Sequence, residues 1–258
     1  MKKITLSILP VLLALTACMN IIGSNSTRLS EVDGMTLVRV PAGKFLMGSD
    51  NRDVEAAPDE RPQHPVYVDA FWIDRNEITN ALYARCVEAG KCSLPVMPGV
   101  RFYEKLNQPV QGVAWTQAVD YCQWAGRRLP TEAEWEKAAR GTDGRLYPWG
   151  NTPPSGQHAN FDFLFDGLID VGQLPAGASP YGALDMAGNV WEWTADRYDE
   201  NYYAESPYEN PTGPESGTTR VVRGGAWNTV PRAIRVTNRH WAFPGRDDFM
   251  GFRCAQDD

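Results

Sequence analysis

The stretch that decides the fold runs from residue 128 to residue 141 and reads RLPTEAEWEKAARG. Thr131 and Glu134 have the spacing of a capping box, in which each side chain accepts a hydrogen bond from the other residue's backbone N–H. Trp135 and two alanines then recur at helical spacing, and Gly141 is a typical helix terminator. The stretch therefore predicts a helix from Thr131 to Gly141.

Regular structure is predicted on both sides of this helix. Apolar residues at helical spacing indicate two more helices, from Thr79 to Ala89 and from about Thr116 to Ala125, each followed by a Gly. Strands are predicted at 36–40, 45–47 and 66–73, with shorter candidates at 219–222 and 251–254. Residues 50–65 are charged and rich in Pro, which favours a surface loop, and regular structure is otherwise expected to be scarce beyond residue 145.

The composition bounds the class of protein. Aromatic residues are abundant, with 9 Trp, 10 Tyr and 9 Phe, while 23 Gly and 19 Pro interrupt the chain, which favours a loop-rich domain with an aromatic core. The formal net charge of −7 argues against a nucleic-acid-binding protein, because such a protein needs a basic face to displace counterions from phosphate. No internal repeat and no second domain are indicated.

The N-terminal residues predict export and lipidation. Lys2 and Lys3 precede an uncharged run from Ile4 to Ala17, which is too short to span a bilayer comfortably and ends in small residues, as a signal peptide does. The following Cys18 completes a sequence similar to a bacterial lipobox, so lipid-bearing Cys18 is expected to begin the mature protein and to anchor it in the membrane. An ordinary signal peptide with an incidental Cys is the alternative. The expected location is the cell envelope, with the outer membrane favoured, facing the periplasm or the cell surface.

These observations divide the chain into three parts. Residues 1–17 are predicted to be the signal peptide, residues 18–34 the lipidated Cys with a polar tether, and residues 35–258 a single folded domain. Four cysteines remain after Cys18, and an even number in an exported protein indicates disulfides. The spacing leaves all three possible pairings open.

A series of ordered sequence blocks resembles the formylglycine-generating-enzyme family, also called the sulfatase-modifying factor family. The blocks are 38–49 (VRVPAGKFLMGS), 77–80 (EITN), 109–115 (PVQGVAW), 128–141, 147–150 (YPWG), 188–193 (GNVWEW), 223–227 (RGGAW) and 251–253 (GFR). The resemblance covers residue 35 to the C-terminus. It implies an α+β domain with little regular secondary structure, distantly similar to a C-type lectin.

The resemblance also implies two calcium sites and a disulfide pairing. Calcium prefers six to eight oxygen ligands from carboxylates and backbone carbonyls. The first site would use the side chains of Asp185 and Glu192 with the carbonyls of Gly188 and Val190, and the second would use Asn160, the Phe161 carbonyl, Asp166 and the Leu168 carbonyl. Acids that merely cap turns or pair with Arg are the alternative. The family bridge matches Cys122 with Cys254, which leaves Cys86 to pair with Cys92.

Copper chemistry is not expected of this chain. Oxidising members of the family carry two closely spaced cysteines after Gly-Gly-Ser, and their thiolates hold copper(I). This sequence continues from Gly224-Gly225 with Ala226 and has no Cys before Cys254. A substitute metal site at His158 and His240 is less expected than structural roles for two isolated histidines.

The same region predicts a ligand cleft. Its candidate lining residues are Trp227, Asn228, Arg232, Arg239 and Trp241, with Arg235 between them. Such a cleft would hold an acidic or peptide ligand. In the alternative, the arginines pair with Asp247, Asp248 and neighbouring carboxylates.

The function expected from these features is a lipid-anchored, calcium-stabilised domain that binds a protein or peptide ligand without a redox centre. The rival prediction is a divergent oxidase, or another metal-dependent oxidoreductase, acting in the same cleft. A carbohydrate-binding, lectin-like module rests on fold analogy alone.

Overall fold

The computed structural model describes residues 26–96, 102, 104–245 and 249–258. The predicted signal peptide and Cys18 lie outside the described residues. The strands are β1 (Thr27–Leu29), β2 (Thr36–Val40), β3 (Gly43–Met47), β4 (His64–Val68), β5 (Phe71–Asp74), β6 (Trp191–Arg197), β7 (Arg220–Arg223), β8 (His240–Ala242), β9 (Met250–Gly251) and β10 (Ala255–Asp257). The helices are α1 (Asn80–Glu88), α2 (Trp115–Trp124), α3 (Glu132–Arg140) and α4 (Tyr202–Glu205). This is the predicted α+β class.

The strands form three small sheets. One is antiparallel with the order β1-β2-β5-β10, and a second consists of β3 paired with β4. The third has the order β8-β7-β6-β9, with β9 parallel to β6 and the other pairs antiparallel. Regular structure beyond residue 145 is therefore more extensive than predicted.

The three predicted helices are confirmed. Thr79 caps α1 by accepting a hydrogen bond from the backbone N–H of Leu82. The capping box at the start of α3 is also present, because Thr131 accepts from the Glu134 N–H at 3.2 Å and Glu134 accepts from the Thr131 N–H at 2.8 Å. The bounds of α1 and α3 shift inward by one residue at each end, since the capping residues themselves are not helical, whereas α2 begins one residue earlier than predicted.

Two strand predictions are wrong in their bounds. Residues 66–73 do not form one strand, because the chain turns at Asp69 and Ala70 so that β4 and β5 enter different sheets. Of the candidate at 251–254, only Gly251 lies in a strand, at the end of β9, and β10 begins after it at Ala255. The predicted surface loop at 50–65 also contains a buried residue, Glu60.

The folded part begins before residue 35. Strand β1 pairs with β2, and Asp33 is buried in an ion pair with Arg127, whose other partner is Asp74. Residues 27–33, predicted to belong to the tether, therefore contribute to a sheet and to a buried charge cluster. No helix among the described residues has both the length and the apolarity needed to cross a membrane.

The structure contains the two disulfides that the resemblance implied. Cys86 is joined to Cys92, and Cys122 is joined to Cys254 across 132 residues of sequence. The second bridge links α2 to the segment that leads into β10, and both of its cysteines are fully buried.

Helix α3 lies in the interior of the domain. All nine of its residues are buried, including three glutamates, Lys137 and Arg140. It packs against β3 and β4 on one side and against β6 and β7 on the other. A helix enclosed in this way has to satisfy its charges internally, because buried charges without partners are strongly destabilising.

Candidate functional site

Two glutamates of α3 are neutralised by an arginine from β7. The guanidinium of Arg223 donates to Glu132 at 2.9 Å and to Glu136 at 2.7 Å, and it also donates to the Val236 carbonyl. Burial alone would raise the pKa of Glu132, but Arg239 and Arg223 hold that pKa below its usual value. Arg223 thereby fixes the strand that leads directly into Gly224 and Gly225.

The predicted cleft arginines have a different role from the one expected. Arg239 is only 4% exposed, and it donates to both oxygens of Glu132 at 2.8 and 3.1 Å. Arg235 is 1% exposed and pairs with Glu60 and Asp53. The cleft assignment of Arg239 is therefore wrong, because its guanidinium is saturated by partners inside the domain.

The alternative that named Asp247 and Asp248 as partners lies outside the described residues. The partners observed for Arg235 and Arg239 come instead from segments far away in sequence, at residues 53–60 and 132. Arg232 alone of the predicted arginines stays exposed, and its Nε donates to the Glu55 carbonyl at 2.9 Å.

The loop after Gly225 carries a threonine hydroxyl and no thiol. The Thr229 hydroxyl accepts from the Ala226 N–H at 3.0 Å and donates to the Ala226 carbonyl at 2.8 Å, which closes a tight turn. Copper(I) prefers soft sulfur ligands, and this loop offers only oxygen and nitrogen. The four cysteines of the folded domain are all in disulfides. The residues present do not fit a copper(I) site.

Aromatic rings surround this loop on the surface. Phe163 packs edge-on against Trp227, and Trp227 lies 6.1 Å from Phe249. The rings continue from Trp191 to His240, Trp241 and Phe243, and the Phe249 carbonyl joins the two groups by accepting from the Trp191 N–H. We call these seven residues the aromatic strip: Phe163, Trp191, Trp227, His240, Trp241, Phe243 and Phe249.

Several rings of the aromatic strip are open to solvent. Phe163 is 64% exposed, Phe243 is 59% exposed and Trp241 is 42% exposed. Asn228, predicted to line the cleft, follows Trp227 and is half-buried. Exposed apolar rings that lie close together are a feature of interaction sites in soluble proteins. Trp227 and Trp241 are thus the predicted cleft residues whose rings belong to this surface.

The first predicted calcium loop is only partly suited to a cation. Asp185 accepts from the Gly172 N–H at 2.7 Å, and burial raises the pKa of its carboxyl to about 6. Glu192 is fully engaged, because its two oxygens accept from Arg253 at 2.7 Å each and from the Trp135 indole N–H at 2.9 Å. The Asp185 carboxyl group is thus suited to bind calcium, whereas the Glu192 carboxylate is occupied by its ion pair with Arg253.

The two predicted calcium loops touch each other. The Asn189 N–H donates to the Asn160 carbonyl at 2.8 Å, and Asn160 Nδ2 donates to the Asn189 side chain at 3.1 Å. Gly188, with φ of 80°, makes this approach possible, because a Cβ at that position would lie 2.1 Å from the backbone carbonyl oxygen of Asn160. Residues 160 and 185–192 therefore form one polar centre.

The second predicted site includes an unsatisfied oxygen. Asn160 Oδ1 is buried and has no hydrogen-bond donor in the described part of the chain. A buried oxygen without a hydrogen bond lowers the stability of the fold by about 1–3 kcal/mol, unless a water molecule or a cation contacts it. Of the other predicted ligands, the Phe161 carbonyl accepts from the Leu164 N–H, the Leu168 carbonyl accepts from Gln108 and Asp166 is exposed. Asn160 thus fits an oxygen-seeking cation.

No dense cluster of acidic or sulfur ligands reinforces these loops. Within the described ranges, with gaps at 97–101, 103 and 246–248, the structure brings together no group of three or more His, Cys, Asp and Glu side chains that could hold a metal ion. A calcium ion would consequently depend on amide and backbone carbonyl oxygens. His158 stacks on Trp149 and hydrogen-bonds Ser155, while His240 belongs to the aromatic strip.

The chain matches the family model described as the sulfatase-modifying factor enzyme 1-like domain over residues 24–258. The chain belongs to this family. The matched range also agrees with a fold that begins at β1 and not at residue 35.

Proteins similar to this chain have names that describe different activities. Formylglycine-generating enzyme from Mus musculus is 34% identical, with 86% of this chain and 75% of that protein covered. The inactive C-alpha-formylglycine-generating enzyme 2 of the same organism is 32% identical, with 88% of each covered. Serine/threonine-protein kinase pkn1 from Chlamydia caviae is 38% identical over 85% of this chain, which spans only 38% of that protein's length.

The fold is also shared with a solved structure. PvdO from Pseudomonas aeruginosa has a TM-score of 0.80 and 27% identity, with 91% of this chain and 98% of that chain covered. Family membership therefore establishes the domain, while the named activities of its relatives differ.

One buried carboxyl group beside the polar centre was not predicted from the sequence. Glu77, in the EITN block, accepts from the Asn189 side chain at 2.7 Å and from the Val190 N–H at 3.1 Å. Burial, followed by the charges of Asp185 and Glu192, raises the pKa of Glu77 well above its usual value. The one sequence signal was that Glu77 lies in the EITN block, since a Glu is seldom buried and nothing in its neighbours indicates burial.

Proposed function

We propose that this chain is an envelope-anchored binding domain that does not oxidise cysteine, and that its ligand contacts the aromatic strip. The observation that carries the proposal is the loop after Gly225, where Thr229 closes a turn and no thiol is available. Oxygen activation by copper(I) requires a ligand set that these residues do not supply.

The chemistry of the exposed surface supports binding by apolar contact. Arg235 and Arg239 are buried and neutralised, so an acidic ligand would find little free positive charge beside the aromatic strip. Trp and other aromatic side chains supply large contact areas and are enriched among the residues that dominate binding energy. A protein or peptide that presents apolar side chains is therefore the ligand that we propose.

Anchoring through Cys18 is part of the same proposal. Its support is the sequence of residues 1–18, with two lysines, an apolar run and the lipobox-like end at Cys18. Because β1 begins at Thr27, the link between the lipid and the folded domain would be short. An extended segment of eight residues reaches about 29 Å at most, so the domain would stay close to the membrane surface.

The first test is an assay of formylglycine formation. We expect no conversion of a Cys-x-Pro-x-Arg peptide by the purified domain, with or without copper and a reductant, measured by aldehyde-specific labelling. Mouse formylglycine-generating enzyme, assayed in parallel, is the positive control. Turnover that depends on added copper or iron would contradict the proposal and would support the rival oxidoreductase.

Calcium is proposed as a structural ligand of the polar centre, held by Asn160, Asp185 and neighbouring backbone carbonyls. When bound, it would supply positive charge to buried oxygens, and it would leave the Glu192–Arg253 pair in place. The support is the unsatisfied Asn160 oxygen and the excess of carboxyl groups in the centre, where those of Glu77, Asp185 and Glu192 face one guanidinium, that of Arg253.

Chelation of calcium is therefore expected to lower the melting temperature of the domain. At a hundredfold excess over Kd, calcium would stabilise the fold by about 2.7 kcal/mol, because it binds the folded state only. Differential scanning calorimetry with chelator, and then with calcium or magnesium, measures the effect. The variant Asn160→Ala should lose the response to calcium, whereas Asn201→Ala should keep it. A melt that is insensitive to chelator in the parent protein would contradict the calcium proposal.

A further inference from the structure

Strand β8 is the outermost strand of its sheet. The sheet has the order β8-β7-β6-β9, so within the described residues no strand covers the outer side of β8. His240 and Trp241 are exposed, and so is Phe243, which follows the strand directly. An uncovered edge strand presents backbone N–H and C=O groups to solvent and can pair with another strand.

The hydrogen bonds of β7 show which backbone groups of β8 point outwards. Along a strand, successive residues direct their N–H and C=O groups to opposite sides. The Thr219 carbonyl accepts from the backbone N–H that follows β6, and the Val221 carbonyl accepts from the Thr194 hydroxyl of β6, each at 3.1 Å. Thr219 and Val221 thus face β6. Arg220 and Val222, which alternate with them, therefore face β8.

The register then leaves one residue of β8 facing outwards. Ala242 and His240 lie opposite the two residues of β7 that face β8, so these pairs carry the hydrogen bonds of the ladder. Trp241 lies opposite Val221, which faces the other way. The Trp241 N–H and C=O therefore point away from β7, and neither bonds another backbone group within the described ranges.

The other outer strands of the two four-stranded sheets are closed or charged. In β9, the Met250 carbonyl accepts from the Val113 N–H at 3.4 Å, and in β10, Ala255 exchanges two backbone hydrogen bonds with Arg128. The middle residue of β1 is Arg28. Charged residues of this kind protect edge strands from pairing, whereas residues 240–243 (HWAF) contain no Lys, Arg, Asp or Glu. The edge of β8 is thus both uncovered and uncharged.

The rings beside this edge lie on one face of it. Side chains alternate along a strand, so Trp241 and Phe243 point the same way, and their ring centroids are 5.8 Å apart. Tyr198 adds a third ring, 6.3 Å from that of Trp241. A strand paired with β8 would place every second side chain on these rings, where aromatic and β-branched side chains stabilise pairing.

We propose that an extended segment of a partner protein pairs with β8 as an additional antiparallel strand, with apolar side chains at alternate positions packed on Trp241 and Phe243. One residue of an antiparallel strand exchanges both hydrogen bonds with Trp241, whereas a parallel strand would need two residues for them. In strand addition, main-chain hydrogen bonds provide affinity and alternate side chains provide specificity. The inference rests on the proposed function, since it specifies how the ligand contacts the aromatic strip.

Peptide probes that differ only in their backbone N–H groups test the pairing. The parent probe is fluorescently labelled Thr-Val-Thr-Phe-Thr-Val-Thr with blocked ends, and fluorescence anisotropy measures its binding to the complete folded domain. In the proposed pairing, the Val and Phe residues direct their side chains to the rings and their N–H groups to β8, while the Thr residues direct both elsewhere. A second probe is N-methylated at its two Val and its Phe, and a third at three of its Thr residues.

We expect methylation of the Val and Phe residues to weaken binding at least about tenfold, because it removes the N–H groups that face β8. The third probe carries the same number of methyl groups on N–H groups that face solvent, and it should bind within about twofold of the parent probe. Any other order of affinities, or no binding of the parent probe, would overturn the proposal.

Two substitutions at Trp241 provide a matched pair in the protein. Trp241→Ala and Trp241→Pro both remove the ring, but only the second also removes the outward N–H. Pro is tolerated on an edge strand where the N–H faces solvent, so both variants should fold, as their melting temperatures would show. The Pro variant should bind the parent probe several-fold more weakly than the Ala variant. Equal binding by the two variants would also overturn the proposal.

Further outcomes separate this inference from the proposed function. If all three probes bound equally and Trp241→Ala weakened each of them, the aromatic strip would bind peptides without strand pairing, and only the pairing would be overturned. Copper-dependent turnover in the formylglycine assay would contradict the proposed function without changing the order of the probe affinities. Sedimentation of the protein alone tests self-association. A dimer that Trp241→Pro dissociates would identify a second copy of this chain as the occupant and would overturn the proposal.

Discussion

Replacing Arg223 with Met is expected to lower the free energy of unfolding by about 3–5 kcal/mol, the usual cost of removing one partner from a buried ion pair. Arg223 is fully buried, and its guanidinium reaches Glu132 and Glu136 on α3. Without it, two glutamates remain inside the domain, and Arg239 and Arg140 are left as their cationic partners. Urea unfolding followed by tryptophan fluorescence measures the loss.

The matched control is Arg39→Met. Arg39 pairs with Asp258 at the surface, where solvent screens both charges, and no resolvable change in stability is expected. Adding Glu136→Gln to Arg223→Met should recover part of the loss, because the second change removes one of the two carboxylates that lost Arg223 and leaves a neutral amide in its place. If Arg223→Met were as stable as Arg39→Met, the ion network would not support α3 in the way that we infer.

Loss of the bridge between Cys122 and Cys254 is expected to destabilise the domain by about 5 kcal/mol. In the chain-entropy model, a bridge stabilises the fold by restricting the unfolded chain, and the effect grows with the length of the closed loop. This bridge closes 132 residues. The double variant Cys122→Ala/Cys254→Ala, compared with the parent protein by chemical unfolding, measures the difference.

The second disulfide provides an internal comparison. Cys86 and Cys92 are six residues apart, so the same model gives about 2 kcal/mol for the double variant Cys86→Ala/Cys92→Ala. The long bridge should therefore matter more than the short one. An equal loss in both variants would show that packing around the sulfur atoms, and not loop length, determines the effect.

Local sequence patterns were sufficient where local interactions decide the structure. The capping box at Thr131 and Glu134 involves residues three positions apart, and the helix formed where it was predicted. Strand β6 was missed, although its sequence WEWTADR alternates apolar and polar residues as a half-buried strand does, and the structure buries its polar residues as well. Its partners β7 and β9 come from elsewhere in the chain.

In the candidate site, too, some features could be predicted from the sequence and others could not. The absence of copper-binding cysteines after Gly225 could be predicted from the sequence, because it depends on which residue types are present. The fate of the arginines could not be predicted, because Arg239 pairs with Glu132 at a separation of 107 residues and Arg235 pairs with Glu60 at 175. An Arg in an exposed cleft and an Arg in a buried ion pair have the same local sequence.

The sequence by itself determined the family, the α+β class, the three main helices and the lack of thiolates beside Gly225. Each of these depends on residue identity or on spacing along a short segment. Only the tertiary structure decided that α3 is wholly enclosed and that Glu192 is held by Arg253. These features depend on charges brought together from distant segments, and the cost of burying a charge is known only when its partners are known.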